Sequence, residues 1–364
     1  MKIKKHKQDT WKIIVRIIVL SIILGGISGI VTAALTTNYL ADYAIELADY
    51  TQPLRIGDEN VRSFPKSHQE AVSRIKDEVL PGVVTFFDKT DANQIGVYSL
   101  DDAYAQGAVL TSDGWLVSTV HFTDTFSQYV AVVQGQEYEV EQVVTDEITG
   151  ASFVKVFANN LPVISFGSGW DAAIGDQVFI LPTQDSLITT SVSQIKHDSK
   201  ETLSSDAPTR QVYLQYATLS SLIGSPVINL SSELIGFCVE AEQESEEYRS
   251  VFLSLDSILP SFTSLLENGE IVRAGLDLDF IDLSSVIGLD DSLSRGYEYG
   301  ALVSGVDSSE KVIMIGDIIL SVDGMMIDYS RSLDEYLTEY KIEDEIILTI
   351  DRDGVREDVH VILE

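Results

Sequence analysis

The side chains able to do chemistry are few in kind. Five histidines (His6, His68, His121, His197 and His360) lie far apart, and none is spaced as a metal-ligand pair would be. No metal site and no cofactor is expected. Cys238 is the single cysteine, so no internal disulfide can form, and its apolar surroundings suit a small core residue. Hydroxyl, imidazole and carboxylate chemistry remains. Nucleophilic catalysis of that kind needs a serine hydroxyl, a histidine base and an acid that fixes the tautomer of the histidine. His121 follows the apolar run Trp115–Ser118, and Ser221 and Ser225 stand two positions either side of Ile223.

The elements that would position these groups follow a basic, then apolar, beginning. Lys2, Lys4, Lys5, Lys7, Lys12 and Arg16 crowd the first 16 residues against Asp9 alone, and no charge occurs from Ile17 to Leu40. Roughly 20 apolar residues span a hydrocarbon core of about 30 Å, so residues 17–38 are expected to form a transmembrane helix. The cationic flank keeps residues 1–16 in the cytoplasm and exports the rest. Val31-Thr32-Ala33 could instead serve a cleaved signal peptide, but the run is longer than a signal core. Residues 1–40 carry a net +5, so the total of −33 leaves −38 on the remainder. Such a field argues against nucleic acid and anionic lipid surfaces as partners.

Residues 39–78, with Pro53 and Pro65, read as a stalk holding one short helix near Gln69–Glu78. From 79 to 250 short apolar runs alternate with turn signals, the pattern of an all-β barrel or sandwich that ends in the acidic loop Glu240–Glu247. Residues 251–269 carry helical periodicity and stop at Asn268-Gly269, and 270–364 form a smaller α+β unit. Its strands are expected at Ala301–Val306, Asp317–Val322, Glu345–Ile350 and Val359–Leu363, with a helix over Ser332–Tyr340.

Four segments in this order resemble the HtrA/DegP-type proteins. They are Val79-Leu80-Pro81-Gly82-Val83-Val84, Asp113-Gly114-Trp115 through His121, Ala151-Ser152-Phe153-Val154-Lys155-Val156, and Gly224-Ser225-Pro226-Val227-Ile228-Asn229 with Glu233-Leu234-Ile235-Gly236. The resemblance implies a mainly β chain, a chymotrypsin-like double β-barrel followed by an α+β PDZ domain. It also implies envelope protein quality control and a tendency to form trimers. By the same resemblance His121 stands at the base position, Gly150 at the acid and Ile223 at the nucleophile. Isoleucine cannot attack a carbonyl and glycine cannot orient an imidazole, so a pseudoprotease is expected, with His121 left as a polar core residue. Leu219-Ser220-Ser221-Leu222 also departs from the glycine-rich loop that supplies oxyanion donors. The alternative is an active envelope endopeptidase with a displaced nucleophile at Ser221 or Ser225 and Asp146 as the acid.

In the last domain, Gly316-Asp317 through Asp323-Gly324 resembles a PDZ strand between its two turns, and Arg273-Ala274-Gly275-Leu276 resembles the loop that receives a peptide carboxylate. The resemblance implies peptide binding at Ala274, Gly275, Leu276, Asp277 and Leu278, with the peptide added as a strand beside Leu276–Leu278. Asp277 and Asp279 would repel the carboxylate. Expected partners are exported or misfolded proteins, their C-terminal peptides, and homo- or hetero-trimers with active relatives.

Overall fold

The structure is a computed structural model that describes residues 65–92, 97–123, 125–197, 202–217, 220–240, 249–306 and 312–363. The basic tail, the segment 17–38, the stalk up to residue 64 and nearly all of the acidic loop lie outside them. Among the described residues no helix is long and apolar enough to cross a membrane.

Strands β1 (Val83–Asp88), β2 (Ala105–Val109), β3 (Trp115–Ser118), β4 (Tyr129–Val133), β5 (Gln136–Thr145) and β6 (Ser152–Val156) close a barrel in the order β1-β2-β3-β6-β5-β4. Alternation along these strands explains their unbroken apolar character. Val84, Phe86, Val109, Leu116 and Val154 fill the barrel. Val83, Ala108, Val117 and Phe153, one residue out of phase, form a second cluster outside it with Phe179, Leu181, Ile228 and Phe237. The Asp113-Gly114 turn that launches β3 requires glycine: φ is +108°, and a Cβ would lie 2.2 Å from the Val156 carbonyl oxygen.

A second closed barrel holds β7 (Gln177–Thr183), β8 (Ser186–His197), β10 (Arg210–Ala217), β11 (Pro226–Asn229), β12 (Leu234–Val239) and β13 (Arg249–Ser254). Helix α1 (His68–Arg74) and a π-turn through Val79 bury Ala71, Ile75 and Val79 in the shared cluster. The end of the expected stalk therefore packs onto the folded body, because every third or fourth residue there is apolar. Helix α2 (Leu255–Asn268) starts four residues later than the connector expected at 251, since Arg249–Ser254 closes the second barrel as a strand. Ser254 caps α2 through the Asp256 N–H, and Leu255, Ile258, Leu259, Phe262 and Leu265 set its buried stripe against both barrels.

The last sheet runs β19 (Val355–Ile362), β18 (Glu345–Arg352), β16 (Ile318–Val322), β15 (Ala301–Val306), β14 (Leu278–Asp282) and β9 (Leu203–Ser204), with β17 (Met325–Met326) beside β16. The four strands expected here are present, and β14 joins them. Helix α3 (Asp291–Ser294) is a single turn, and α4 (Leu333–Leu337) is shorter than the expected 332–340. The strand at the far edge, β9, is not part of this domain's sequence. It comes from the segment between β8 and β10 of the second barrel, and pairs antiparallel with β14.

Candidate functional site

Register brings the three positions expected for a triad to one place. Strand β3 pairs with β6 so that Ser118 faces Ser152. His121 leaves β3 three residues on, and Gly150 enters β6 two residues before, so both stand at the same end of that ladder. The Ile223 turn meets them there. Its neighbour Gly224 (φ +83°) donates its N–H to the Cys238 carbonyl at 2.8 Å, and the Thr119 hydroxyl donates to the same oxygen at 2.7 Å. A Cβ on Gly224 would lie 2.7 Å from the Gln106 carbonyl oxygen and 3.1 Å from Val120, so the two barrels touch here.

The side chains at these positions do not make a catalytic set. His121 is exposed, a correction to its expected place in the core. The residue that goes inward is Phe122, packed edge-on against Phe86 and Tyr129, while Tyr104 donates its hydroxyl to the His121 carbonyl at 2.7 Å. Gly150 (φ +70°) is exposed, with nothing within 4 Å of where a side chain would begin. Ile223 is half-buried.

The displaced candidates fare no better as a set. Ser225 is fully buried, and among the described residues its hydroxyl finds no partner. Asp146 is also buried. It accepts hydrogen bonds from the Thr149 and Ser261 hydroxyls at 2.5 and 2.8 Å and is ion-paired with Arg273. Burial alone would raise the Asp146 carboxyl, but Arg273, Thr149 and Ser261 together hold it below the usual range. Its lone pairs serve α2 and the entry to the last domain. Ser221 is exposed on a single 3₁₀ turn, Ser220–Leu222.

The second expected site is the loop before β14 and the edge of that strand. The Leu276 N–H donates to Asp206 Oδ1 at 3.0 Å, and Gly275 lies under the same carboxylate, where a Cβ would be 2.3 Å from that oxygen. Ser205 donates its N–H to the Leu278 carbonyl at 2.9 Å, and Ser204 and Leu203 pair with Asp279 and Phe280. Leu203 is 4 % exposed and packs with Leu276, Phe280, Leu333 and Tyr336. Pairing thus starts at Leu278 and runs on to Phe280, rather than along Leu276–Leu278. Asp277 and Asp279 are exposed and alternate with the buried Leu276, Leu278 and Phe280, so their carboxylates face away from the groove. Ala274 is half-buried just before the loop.

The far wall is held as well. The Thr209 N–H and hydroxyl donate to Asp334 Oδ2 at 2.9 and 3.0 Å. Arg210 Nε lies 2.5 Å from Glu335 Oε1, and its other nitrogens reach the Trp170 and Ser330 carbonyls. Burial pushes the Glu335 carboxyl up to about 7, against the pull of Arg210.

Residues 280–363 match the PDZ domain family. A "Probable periplasmic serine endoprotease DegP-like" from Halomonas elongata is 24 % identical over 262 residues, covering 70 % of this chain and 55 % of that protein. "Serine endoprotease DegS" from Haemophilus influenzae is 23 % identical over 305 residues, covering 78 % and 84 %. The chain thus spans about half the length of the DegP-like relatives and most of the DegS one. Among solved structures, the HtrA-type protease AlgW with a tripeptide superposes with a TM-score of 0.58 at 17 % identity, covering 80 % of this chain and 96 % of that one. AlgW with a decapeptide gives 0.55 at 18 % identity, covering 82 % and 98 %.

Along most of its length the chain is similar to the HtrA-type serine endoproteases, and it carries a PDZ domain. Sequence reasoning expected a peptide carboxylate at this loop, where the Leu276 N–H instead meets the side-chain carboxylate of Asp206. It missed the segment Leu203–Asp206 that supplies it. The only trace in the sequence is one leucine among serines and acids, Leu203-Ser204-Ser205-Asp206, between two long strands.

Proposed function

We propose that this HtrA-type chain is a pseudoprotease of the cell envelope that captures segments of other exported proteins without cleaving them. In this reading residues 17–38 hold it to the membrane and the PDZ groove does the binding. One observation carries the reading: the turn that meets the His121 loop presents Ile223, which has no nucleophilic atom. Removing the nucleophile from a triad costs about 10⁶-fold in turnover. Gly150 adds the loss of the acid, and the burial of Ser225 and the engagement of Asp146 leave no ready substitutes. Capture is supported by the PDZ match and by the peptide-bound state of the AlgW structures. Assembly into trimers with active relatives would place the groove beside working sites.

The test is a fluorophosphonate probe on the full chain, followed by casein hydrolysis. No serine should be labelled, casein should stay intact, and His121→Ala should change neither. Labelling or cleavage that vanishes in His121→Ala would establish the other reading, an active endopeptidase with a displaced nucleophile.

A further inference from the structure

The PDZ groove is already occupied, and its occupant belongs to the same chain. We propose that Leu203–Asp206 is a tethered ligand that keeps the groove closed, so that an outside peptide binds only when this strand has left. The proposal rests on the capture reading and adds its regulation.

Each feature of a bound peptide tail has its counterpart. Strand addition supplies main-chain hydrogen bonds along an exposed sheet edge, and loop amides receive a carboxylate. Here Ser204 and Leu203 extend the sheet beside Asp279 and Phe280. The chain direction is antiparallel, so Asp206 arrives at the loop end, where a C-terminus would arrive. Its side-chain carboxylate accepts the Leu276 N–H at 3.0 Å and leaves no room over Gly275 for a Cβ. The apolar anchor is Leu203, buried in the same cluster as Phe280, Leu333 and Tyr336 and paired directly with Phe280. A free carboxylate would need the place Asp206 holds, and an apolar side chain would need the pocket of Leu203. The two ligands therefore exclude each other.

Simple interdomain packing would not need a carboxylate on the Leu276 amide, because it could leave that N–H to water. The tether has a second grip a few residues on, at Thr209–Asp334 and Arg210–Glu335. An intramolecular ligand acts at an effective concentration on the order of millimolar, and apparent affinity for an outside ligand falls by the fraction of grooves that are open. The expected property of the intact chain is weak peptide binding that strengthens when the tether is cut loose.

The experiment uses the full chain and a fluorescein-labelled peptide carrying residues 201–206 with a free C-terminus, read by polarisation. Leu203→Glu with Asp206→Ala should bind the peptide at least ten-fold more tightly than the parent, with circular dichroism confirming that it folds. A second variant needs no loosening of the fold: Ser204→Cys with Asp279→Cys. Antiparallel partners lie about 4.5–5.5 Å apart at Cα, within disulfide range. Oxidised, this pair should bind no peptide, and reductant should restore the parent's affinity. Equal binding by the parent and the loosened variant, or binding by the oxidised pair, would overturn the tether and leave capture standing. No binding by any of the chains would overturn capture itself, and the pairing of β9 with β14 would be packing alone.

Discussion

Arg273, at the entry to the PDZ domain, is ion-paired with the buried carboxylate of Asp146, which sits on the same turn as Gly150. The loop at which a catalytic acid was expected thus carries a link to the PDZ domain. Asp146→Asn leaves Arg273 poorly paired at 14 % exposure and weakens the bond to Ser261. The expected loss is roughly 3 kcal/mol, the lower end for breaking a buried pair, read from denaturant midpoints. An unchanged midpoint would show that the link carries no stability.

The same carboxyl sets an acid limit. Its folded pKa lies below the unfolded value of about 3.9, so its contribution is present above that value and is lost as pH falls through the folded one. Melting temperature should therefore drop on the acid side below about pH 5, as unfolded chains begin to take up protons. Asp146→Asn should flatten that limb relative to the parent.

Glu335 works with the opposite sign. Its folded pKa, about 7, exceeds the model-compound value of 4.5. The contribution is fully present below the unfolded pKa and fades as pH rises through about 7. The groups facing this carboxyl are Arg210, Asp334 and the Ser332 backbone. Hydrogen-exchange protection of the Ser205 amide should fall between pH 5 and pH 8 in the parent. Glu335→Gln keeps a neutral capping side chain on α4 and should lose the slope, with protection at pH 5 close to the parent's. A parallel slope in both chains would remove Glu335 from the closure.

Ser225 makes a separate stability test. An unsatisfied buried hydroxyl costs about 1–3 kcal/mol, and Ser225 is fully buried with no partner among the described residues. Ser225→Ala removes the orphaned atom and opens little space, so the urea midpoint should rise by the equivalent of about 1 kcal/mol. Destabilisation would mean that the hydroxyl is in use.

The two barrels were legible because strand runs and turn pairs are local: Asp113-Gly114 before Trp115 announces a hairpin from its own residues. The three positions expected for a triad each lie beside a strand, so their neighbourhood follows from its register. His121 was placed in the core wrongly because adjacent residues on an extended chain face opposite ways, and Phe122 takes the inward side. The filled groove was not legible. Leu203 and Phe280 are 77 residues apart in the chain, and no local propensity marks a two-residue strand. Asp146–Arg273 escaped likewise, since an acid beside an expected triad position invites a catalytic reading until its partner is seen.

Supplying the groups missing from the expected triad positions tests the pseudoprotease reading. Ile223→Ser supplies a hydroxyl and Gly150→Asp an acid. Gly150 has open space around its missing Cβ, and at φ +70° aspartate is among the better-tolerated residues. His121 is exposed. These three groups are only part of the machinery. Oxyanion donors contribute about 10²–10³-fold each, and they depend on a loop that here reads Leu219-Ser220-Ser221-Leu222, without glycine. The double variant should thus gain fluorophosphonate labelling at position 223 that disappears on adding His121→Ala, while casein turnover stays within a few-fold of the parent's background. Brisk casein cleavage would show that this loop supplies oxyanion donors without glycine. Absent labelling would mean that the three positions, although at one end of the barrel, no longer reach hydrogen-bond distance.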